Sequence, residues 1–250
     1  MNLELRDRVY VIAGGSRGLG RATAQVLVAD GARVVISSRD PAGVEATVSA
    51  LGGPEHATGV AADNADPATA GRLVDLARTS FGRLDGALIS VGGPPPGSGM
   101  DVADGAWREA FESVFLGAVR LVRTVAAGLD TGGAIGLVLS SSVKSPIGGL
   151  AVSNGFRPGL AMLAKDFADE LGPRGIRVLS LAPGRIATDR TMAMDGDDPA
   201  TRTAMEARIP LRRYGEPAEF GRVAAFCLSP AASYLSGCVV TVDGGSTRAL

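Results

Sequence analysis

Short apolar runs alternate with helical stripes along most of this chain. Val9 to Ala13 is unbroken apolar sequence, which predicts a strand buried on both faces. Beyond the glycines that follow, Ala22, Val26, Leu27 and Ala29 share one side of a helix. The same two periods then repeat. Ala32 to Ser37 predicts a second strand, and Asp40-Pro41 opens a helix to about Leu51. Thr58 to Ala62 predicts a third strand, closed by Asp63-Asn64. Asp66-Pro67 opens the next helix, to about Phe81, with Ala70, Leu73, Val74 and Ala77 as its apolar face. Leu84 to Val91 predicts a fourth strand. A long helical stretch from about Asp104 to Leu129 carries Trp107, Phe111, Val114, Phe115, Ala118, Leu121 and Val122 in one wide stripe. Ile135 to Leu139 predicts a fifth strand, about Ser153 to Leu171 a helix, and Arg177 to Ala182 a sixth strand. Pro217 to Leu228 and Cys238 to Val242 supply a last helix and a seventh strand.

This alternation predicts an α/β protein: a single-domain Rossmann fold, with a doubly wound, seven-stranded parallel sheet, helices on both faces and right-handed crossovers. One segment, about 187–214, breaks the pattern. It is rich in Thr, Asp, Met and Arg and reads as a mobile lid over the ligand crevice. The 250 residues, 46% of them apolar, suit one domain spanning 1–250. A net charge of −1 gives no reason to expect nucleic acid or a membrane surface. No apolar run reaches the ~18 residues of a membrane span. Met1 leads straight into the first strand with no visible signal peptide, so a cytoplasmic location is expected. Cys227 and Cys238 fit a reducing compartment, and their spacing matches no metal pattern. Of the 25 basic side chains only Lys144 and Lys165 are lysines.

Candidate chemistry begins directly after the first strand, at Gly14-Gly15-Ser16-Arg17-Gly18-Leu19-Gly20. A strand, a glycine turn and a helix start bring a pyrophosphate onto free backbone N–H groups at the positive end of the helix dipole. The glycines let the backbone approach the phosphates with no Cβ in the way. The end of the second strand chooses between dinucleotides. An acidic residue there would bind the ribose 2′-OH of NAD. Here Ser38 and Arg39 stand instead, with Arg17 in the glycine turn, and two guanidiniums with a hydroxyl suit the 2′-phosphate of NADP(H). After the fourth strand, Gly92-Gly93-Pro94-Pro95-Pro96-Gly97 is a stiff run where a strand's carboxyl end meets the ligand crevice.

With these residues in view, the whole chain resembles the short-chain dehydrogenase/reductase family, near its 3-oxoacyl-(acyl-carrier-protein) reductase branch. The glycine turn fits the family motif, with Ala13 where Thr is usual. Asp63, followed by Asn64, matches the aspartate that contacts adenine. Leu181-Ala182-Pro183-Gly184-Arg185-Ile186-Ala187-Thr188-Asp189 matches the segment at the nicotinamide, which implicates Pro183, Gly184, Ile186 and Thr188. The family's Asn-Asn-Ala-Gly reads Ile89-Ser90-Val91-Gly92 here, which implicates Ser90, Gly92 and the adjoining Gly93. Arg213-Tyr214-Gly215-Glu216-Pro217-Ala218-Glu219 and Val242-Asp243-Gly244-Gly245 match its C-terminal signatures.

The catalytic motif departs from the family pattern. Relatives pair a Tyr with a Lys four residues on, with a Ser upstream and an Asn on the preceding helix. The lysine and the oxidised nicotinamide lower the tyrosine pKa so that its hydroxyl exchanges a proton with the substrate oxygen. Aligned on Gly159-Leu160 and Lys165, the tyrosine position falls on Ser153 and the lysine position on Arg157. The serine position is Ser140, and the asparagine position, three before Gly117, is Val114. A serine is a far weaker acid than a phenol, and an arginine stays charged and relays no proton. Arg157 is expected to grip a carboxylate or phosphate of the substrate, and Arg185 points the same way. Lys144, four residues after Ser140 and beside the Arg157 cation, is the candidate proton donor. Of the three tyrosines, only Tyr214, bordering the lid, competes with it. The chain resembles a divergent branch marked by the Gly-Gly-Pro-Pro loop, Ser142-Val143-Lys144-Ser145-Pro146 and Ser153-Asn154-Gly155-Phe156-Arg157.

The expected function is NADPH-dependent hydride transfer on the carbonyl or hydroxyl of a small molecule, through an atypical site. The alternatives are a catalytically silent NADP(H)-binding sensor or scaffold, and a non-redox enzyme using the same pocket. The resemblance also implies a homo-oligomer, tetramer or dimer, pairing helices 104–129 and 153–171. Ala110, Phe111, Val114 and Ala118 are the candidate interface, unless that stripe faces the chain's own core.

Overall fold

The computed structural model describes residues 2–90, 92–130, 132–196 and 198–249. Seven strands run parallel in the order β3-β2-β1-β4-β5-β6-β7. They are β1 (Val9–Ala13), β2 (Arg33–Ser38), β3 (Ala57–Ala61), β4 (Gly86–Ile89), β5 (Gly133–Val138), β6 (Ile176–Pro183) and β7 (Val239–Val242). Every residue of β1 is buried, because the strand lies between β2 and β4 and under helices on both sides. Ile12 sits in register with Ile36 on one side and Leu88 on the other.

Successive side chains of β1 serve two cores. Val9, Val11 and Ala13 pack under α3 (Thr69–Phe81), α5 (Gly117–Gly128) and α6 (Ala151–Leu171). Tyr10 and Ile12 pack under α1 (Gly18–Ala29), α2 (Pro41–Ala50) and α9 (Pro217–Leu228). That is the period-2 alternation of a strand applied to a sheet covered on both faces. Each large side chain so buried contributes on the order of 1.5–3 kcal/mol. Helices α1 and α9 approach until a Cβ on Gly221 would collide with the carbonyl of Ala22.

Several boundaries move for physical reasons. The fourth strand starts at Gly86 rather than Leu84. The buried carboxylate of Asp85 takes the N–H of Val9 at 2.9 Å and ion pairs from Arg8 and Arg83. Arg83 to Asp85 thus form a polar knot rather than a strand, and Val91, placed in that strand by its apolarity, lies outside the described residues. Helix α3 starts at Thr69 rather than at Asp66-Pro67. Asp66 accepts from the N–H of Ala68, and the Thr69 hydroxyl donates to the carbonyl of Asp63, so this stretch is a turn.

The long helical stretch is continuous but changes pitch. It runs as α4 (Asp104–Ala110), a π turn (Phe111–Leu116) and α5. α6 begins at Ala151, before Ser153, and contains Pro158 in its interior. The segment between β6 and α9 holds two short helices, α7 (Asp189–Asp195) and α8 (Pro199–Glu206). Among the described residues, no helix is long and apolar enough to cross a membrane.

Candidate active site

The sheet order reverses direction between β1 and β4, which opens a crevice beyond their carboxyl ends. Gly14 and Ser90 stand on either side of it. Gly14 has φ +76°, and a Cβ there would overlap the carbonyl oxygen of Ser90. A Cβ on Gly20 would overlap the carbonyl of Gly14. Only glycine closes this turn. Arg17 is the N-cap of α1, with extended backbone and no side-chain cap, so no side chain occupies the helix's leading N–H groups. The Thr47 hydroxyl donates to the carbonyl of Ser16 at 3.0 Å and ties α2 to the turn. The cradle therefore fits a pyrophosphate, and Leu19 packs behind it against the α1–α9 core.

Along β2, Ser38 and Arg39 follow at the strand's end. The Ser38 hydroxyl is shared with the backbone of Asp40 at 3.2 Å, and Arg39 is exposed beside the crevice. At the end of β3, Asp63 is exposed, with one carboxylate oxygen on the N–H of Ala65. Asn64 presses against α5, where a Cβ on Gly117 would collide with its carbonyl.

The end of β5 gathers the catalytic candidates. Ser140 has extended backbone and caps a short 3-10 turn, accepting from the N–H of Ser142 at 3.1 Å. Ser153 and Arg157 lie one turn apart on α6, and both are buried at 6% exposure. Nη1 of Arg157 donates to the carbonyls of Val138 at 2.9 Å and Leu139 at 2.8 Å. Its charge has no carboxylate partner among the described residues. Burial, and then the like charge of Arg190, pull its pKa down to about 10. The expectation that Arg157 grips a substrate anion alone is thus modified: one terminal nitrogen holds the strand end that presents Ser140. The like charge it feels most is that of Arg190. Lys144 lies exposed on the loop after the 3-10 turn. Asn154 fixes that loop, because its side chain accepts from the N–H of Ile147 and donates to the Ile147 carbonyl at 3.0 and 2.8 Å. Val114 is buried in the core at the π turn and brings no polar group.

The 187–214 segment comes down on the glycine turn. The carbon nearest a Cβ placed on Gly18 is the Thr188 methyl, at 3.6 Å. Ile186 is buried and bridges to Gly215, Gly184 is hydrogen-bonded to Val242, and Pro183 ends β6. Arg185 pairs with Asp195, which also accepts from the Tyr214 hydroxyl at 2.7 Å. Guanidiniums of Arg185 and Arg202 face the Tyr214 ring at 5.9 and 5.4 Å. Burial first, then the Asp195 contact, raise the Tyr214 pKa. Tyr214 is committed to this knot, which removes it from the proton-donor candidates and takes Arg185 from the substrate. Tyr10 lies in the core and Tyr234 is fully exposed.

Two contributors escaped the sequence reading. The loop-fixing role of Asn154 is one, since the residue stood out only as part of the Ser153-to-Arg157 motif. Arg190 is the other. Its Nη1 donates to the carbonyl of Gly93 at 3.0 Å and its Nη2 to that of Pro94 at 2.9 Å. A Cβ on Gly93 would overlap that guanidinium. Gly92 lies beside this contact, exposed. Nothing local marks Arg190, because its partners stand nearly a hundred residues away.

Comparison with known proteins gives this arrangement its relatives. A family model described as enoyl-(acyl carrier protein) reductase matches residues 13–247. An uncharacterised oxidoreductase of Mycobacterium tuberculosis is 37% identical, over 97% of this chain and 92% of the relative. The L-rhamnose 1-dehydrogenase (NAD(P)(+)) of Azotobacter vinelandii is 34% identical, over 96% of this chain and 97% of the relative. The crystal structure of L-sorbose reductase from Gluconobacter frateurii, complexed with NADPH and L-sorbose, superposes with a TM-score of 0.94 at 28% identity and covers 100% of both chains. The parallel sheet, the glycine cradle at its switch point and these full-length likenesses together place the chain in the short-chain dehydrogenase/reductase family of oxidoreductases.

Proposed function

We propose that this protein is an NADPH-dependent reductase acting on the carbonyl of a small molecule, with proton delivery rebuilt around Ser140 and Lys144. The observation that carries the reading is the intact cradle: Gly14 and Gly20 leave the space that a phosphate-binding turn needs. Gly14, Ser16, Arg17, Gly18, Leu19 and Gly20 would hold the pyrophosphate. Arg17, Ser38 and Arg39 would hold the 2′-phosphate. Asp63 and Asn64 would border the adenine. Ser90, Gly92, Gly93, Pro183, Gly184, Ile186 and Thr188 would line the nicotinamide. When bound, NADPH supplies the hydride that reduces the carbonyl carbon and leaves as NADP+.

The chain's own residues do the rest. The Ser140 hydroxyl hydrogen-bonds the carbonyl oxygen and favours the negative charge that develops there. Arg157 keeps the strand end, and so Ser140, in place through the Val138 and Leu139 carbonyls. Lys144, on the loop fixed by Asn154, gives the oxygen its proton, directly or through water. The segment 187–214 serves as the lid that excludes bulk water.

The test is NADPH oxidation against a panel of 3-oxoacyl thioesters, ketones and quinones. At least one class should turn over. Ser140→Ala should lower kcat by about 10²–10³-fold, as for loss of one oxyanion donor. Unchanged turnover in Lys144→Ala would assign the proton to water instead. A second reading is favoured by Val114, Ser153 and Arg157 standing where the family keeps its polar catalytic groups: a silent NADP(H)-binding sensor or scaffold. Tight NADPH binding with no turnover across the panel would select it. The proposal includes a cytoplasmic homo-oligomer, dimer or tetramer, paired through the face of α4, α5 and α6.

A further inference from the structure

Three arginines come from separate elements that border the crevice: Arg17 from the glycine turn, Arg190 from α7, where it bonds the Gly93 and Pro94 carbonyls, and Arg157 from α6, where it bonds those of Val138 and Leu139. Each feels the next. After burial, the charge of Arg17 is the cause that lowers the pKa of Arg190, and the charge of Arg190 is the one that lowers that of Arg157. Among the described residues neither Arg157 nor Arg190 has a carboxylate partner. Three other cations of the same region do: Arg185 has Asp195, Arg202 has Glu206 and Arg213 has Glu219, whereas Arg208 and Arg212 show no such pair among the described residues. A buried guanidinium bonded only to carbonyls keeps its full charge. Such a charge is costly unless an anion answers it.

We infer that the answering anion belongs to the substrate: Arg190, backed by the charge of Arg157, selects carbonyl compounds that carry a carboxylate or phosphate. Arg190 is suited to the task. Two of its five donors hold the Gly93 and Pro94 carbonyls, which fixes the guanidinium at the mouth of the crevice and leaves three for a ligand. A carboxylate accepts from such a fork bidentately and more strongly than a carbonyl does. Position separates this role from phosphate binding by the cofactor. Arg17 and Arg39 lie at the ends of β1 and β2, whereas Arg190 and Arg157 contact the segments that leave β4 and β5. The missing Cβ of Gly93 is what admits the guanidinium.

This inference rests on the proposed dinucleotide site, so the experiment reads the two separately. NADPH binding to the wild-type protein is measured first by calorimetry; its failure would remove the proposed function and this inference with it. Oxalate is then titrated into the NADPH-loaded protein, with neutral oxamide as control. Oxalate should bind and oxamide should not. Arg190→Met should weaken oxalate by more than about tenfold and Arg190→Lys by less, while NADPH affinity stays within about threefold. Gly93→Ala, which displaces the guanidinium without removing it, should weaken oxalate as well. Equal oxalate binding by wild type and Arg190→Met, or none by either, would overturn the inference while leaving the proposed function intact. If Arg190→Met instead weakens NADPH by the larger factor, the anion is the cofactor's own phosphate and the substrate assignment is wrong.

Discussion

At the scale of single residues, what a side chain lacks matters as much as what it offers. Gly14→Ala combines a backbone at φ +76° with a Cβ driven into the Ser90 carbonyl. Strain of this kind costs about 1–3 kcal/mol, and a urea titration should show a loss of that size. NADPH binding by calorimetry should weaken by more than about tenfold, because the turn cannot close. The need for glycine at this turn was legible in the sequence, since a glycine pattern after a buried strand is a local signal. The role of Arg157 was legible only in part, and that of Arg190 not at all. The residue type at 157 announced an anion grip, yet its Nη1 turned to the Val138 and Leu139 carbonyls. That choice depends on where β5 ends beneath α6, which no local pattern encodes. Arg190 depends on a loop far away in sequence, and Tyr214 was claimed by Asp195 for the same reason.

Elements were read where a long period governed them, shifted where side chains compete for the backbone, and missed at the two short helices of 187–214 and the π turn of Phe111–Leu116. The seven strands follow from their apolar runs. The late start of α3 follows from Asp66 and Thr69 bonding to nearby backbone, and the polar knot at Asp85 holds back the start of β4. The same kind of local bonding predicts an acid response in α9. Glu219 forms a capping box with Glu216 and a two-point pair with Arg213. The Arg213 contact first, then the Glu216 N–H, hold its carboxyl down from 4.5 to about 2. In the unfolded chain the group keeps its ordinary value, so between these limits the unfolded state binds more protons. Stability from this pair is therefore full above about pH 4.5 and is lost as pH falls toward 2. Glu219→Gln should lower the melting temperature at pH 7 and converge on wild type near pH 2–3. Melting curves that stay parallel at every pH would contradict the assignment.

For the whole molecule, the stripe of the long helix divides between two destinations. Ala110, Val114 and Ala118 are buried in the chain's own core, whereas Phe111 is 40% exposed. Of the four residues named for an interface, Phe111 alone remains for it. It joins Trp107, Phe115 and Phe156 in an aromatic cluster along an open cleft, and Met162 on α6 is 73% exposed. If this face pairs protomers, wild-type protein sediments as a dimer or tetramer and Phe111→Glu dissociates it. A wild-type monomer would refute the pairing. Sequence periodicity marked the stripe but not its division, because which side of a helix meets the core depends on the sheet beneath it. The interior proline of α6 carries a consequence of another kind. Pro158 offers no N–H to the carbonyl of Asn154, so the turns bearing Ser153 and Arg157 are coupled to the rest of the helix by one bond fewer. Small shifts of the two buried side chains on those turns therefore pass only weakly into the length of helix beyond Pro158.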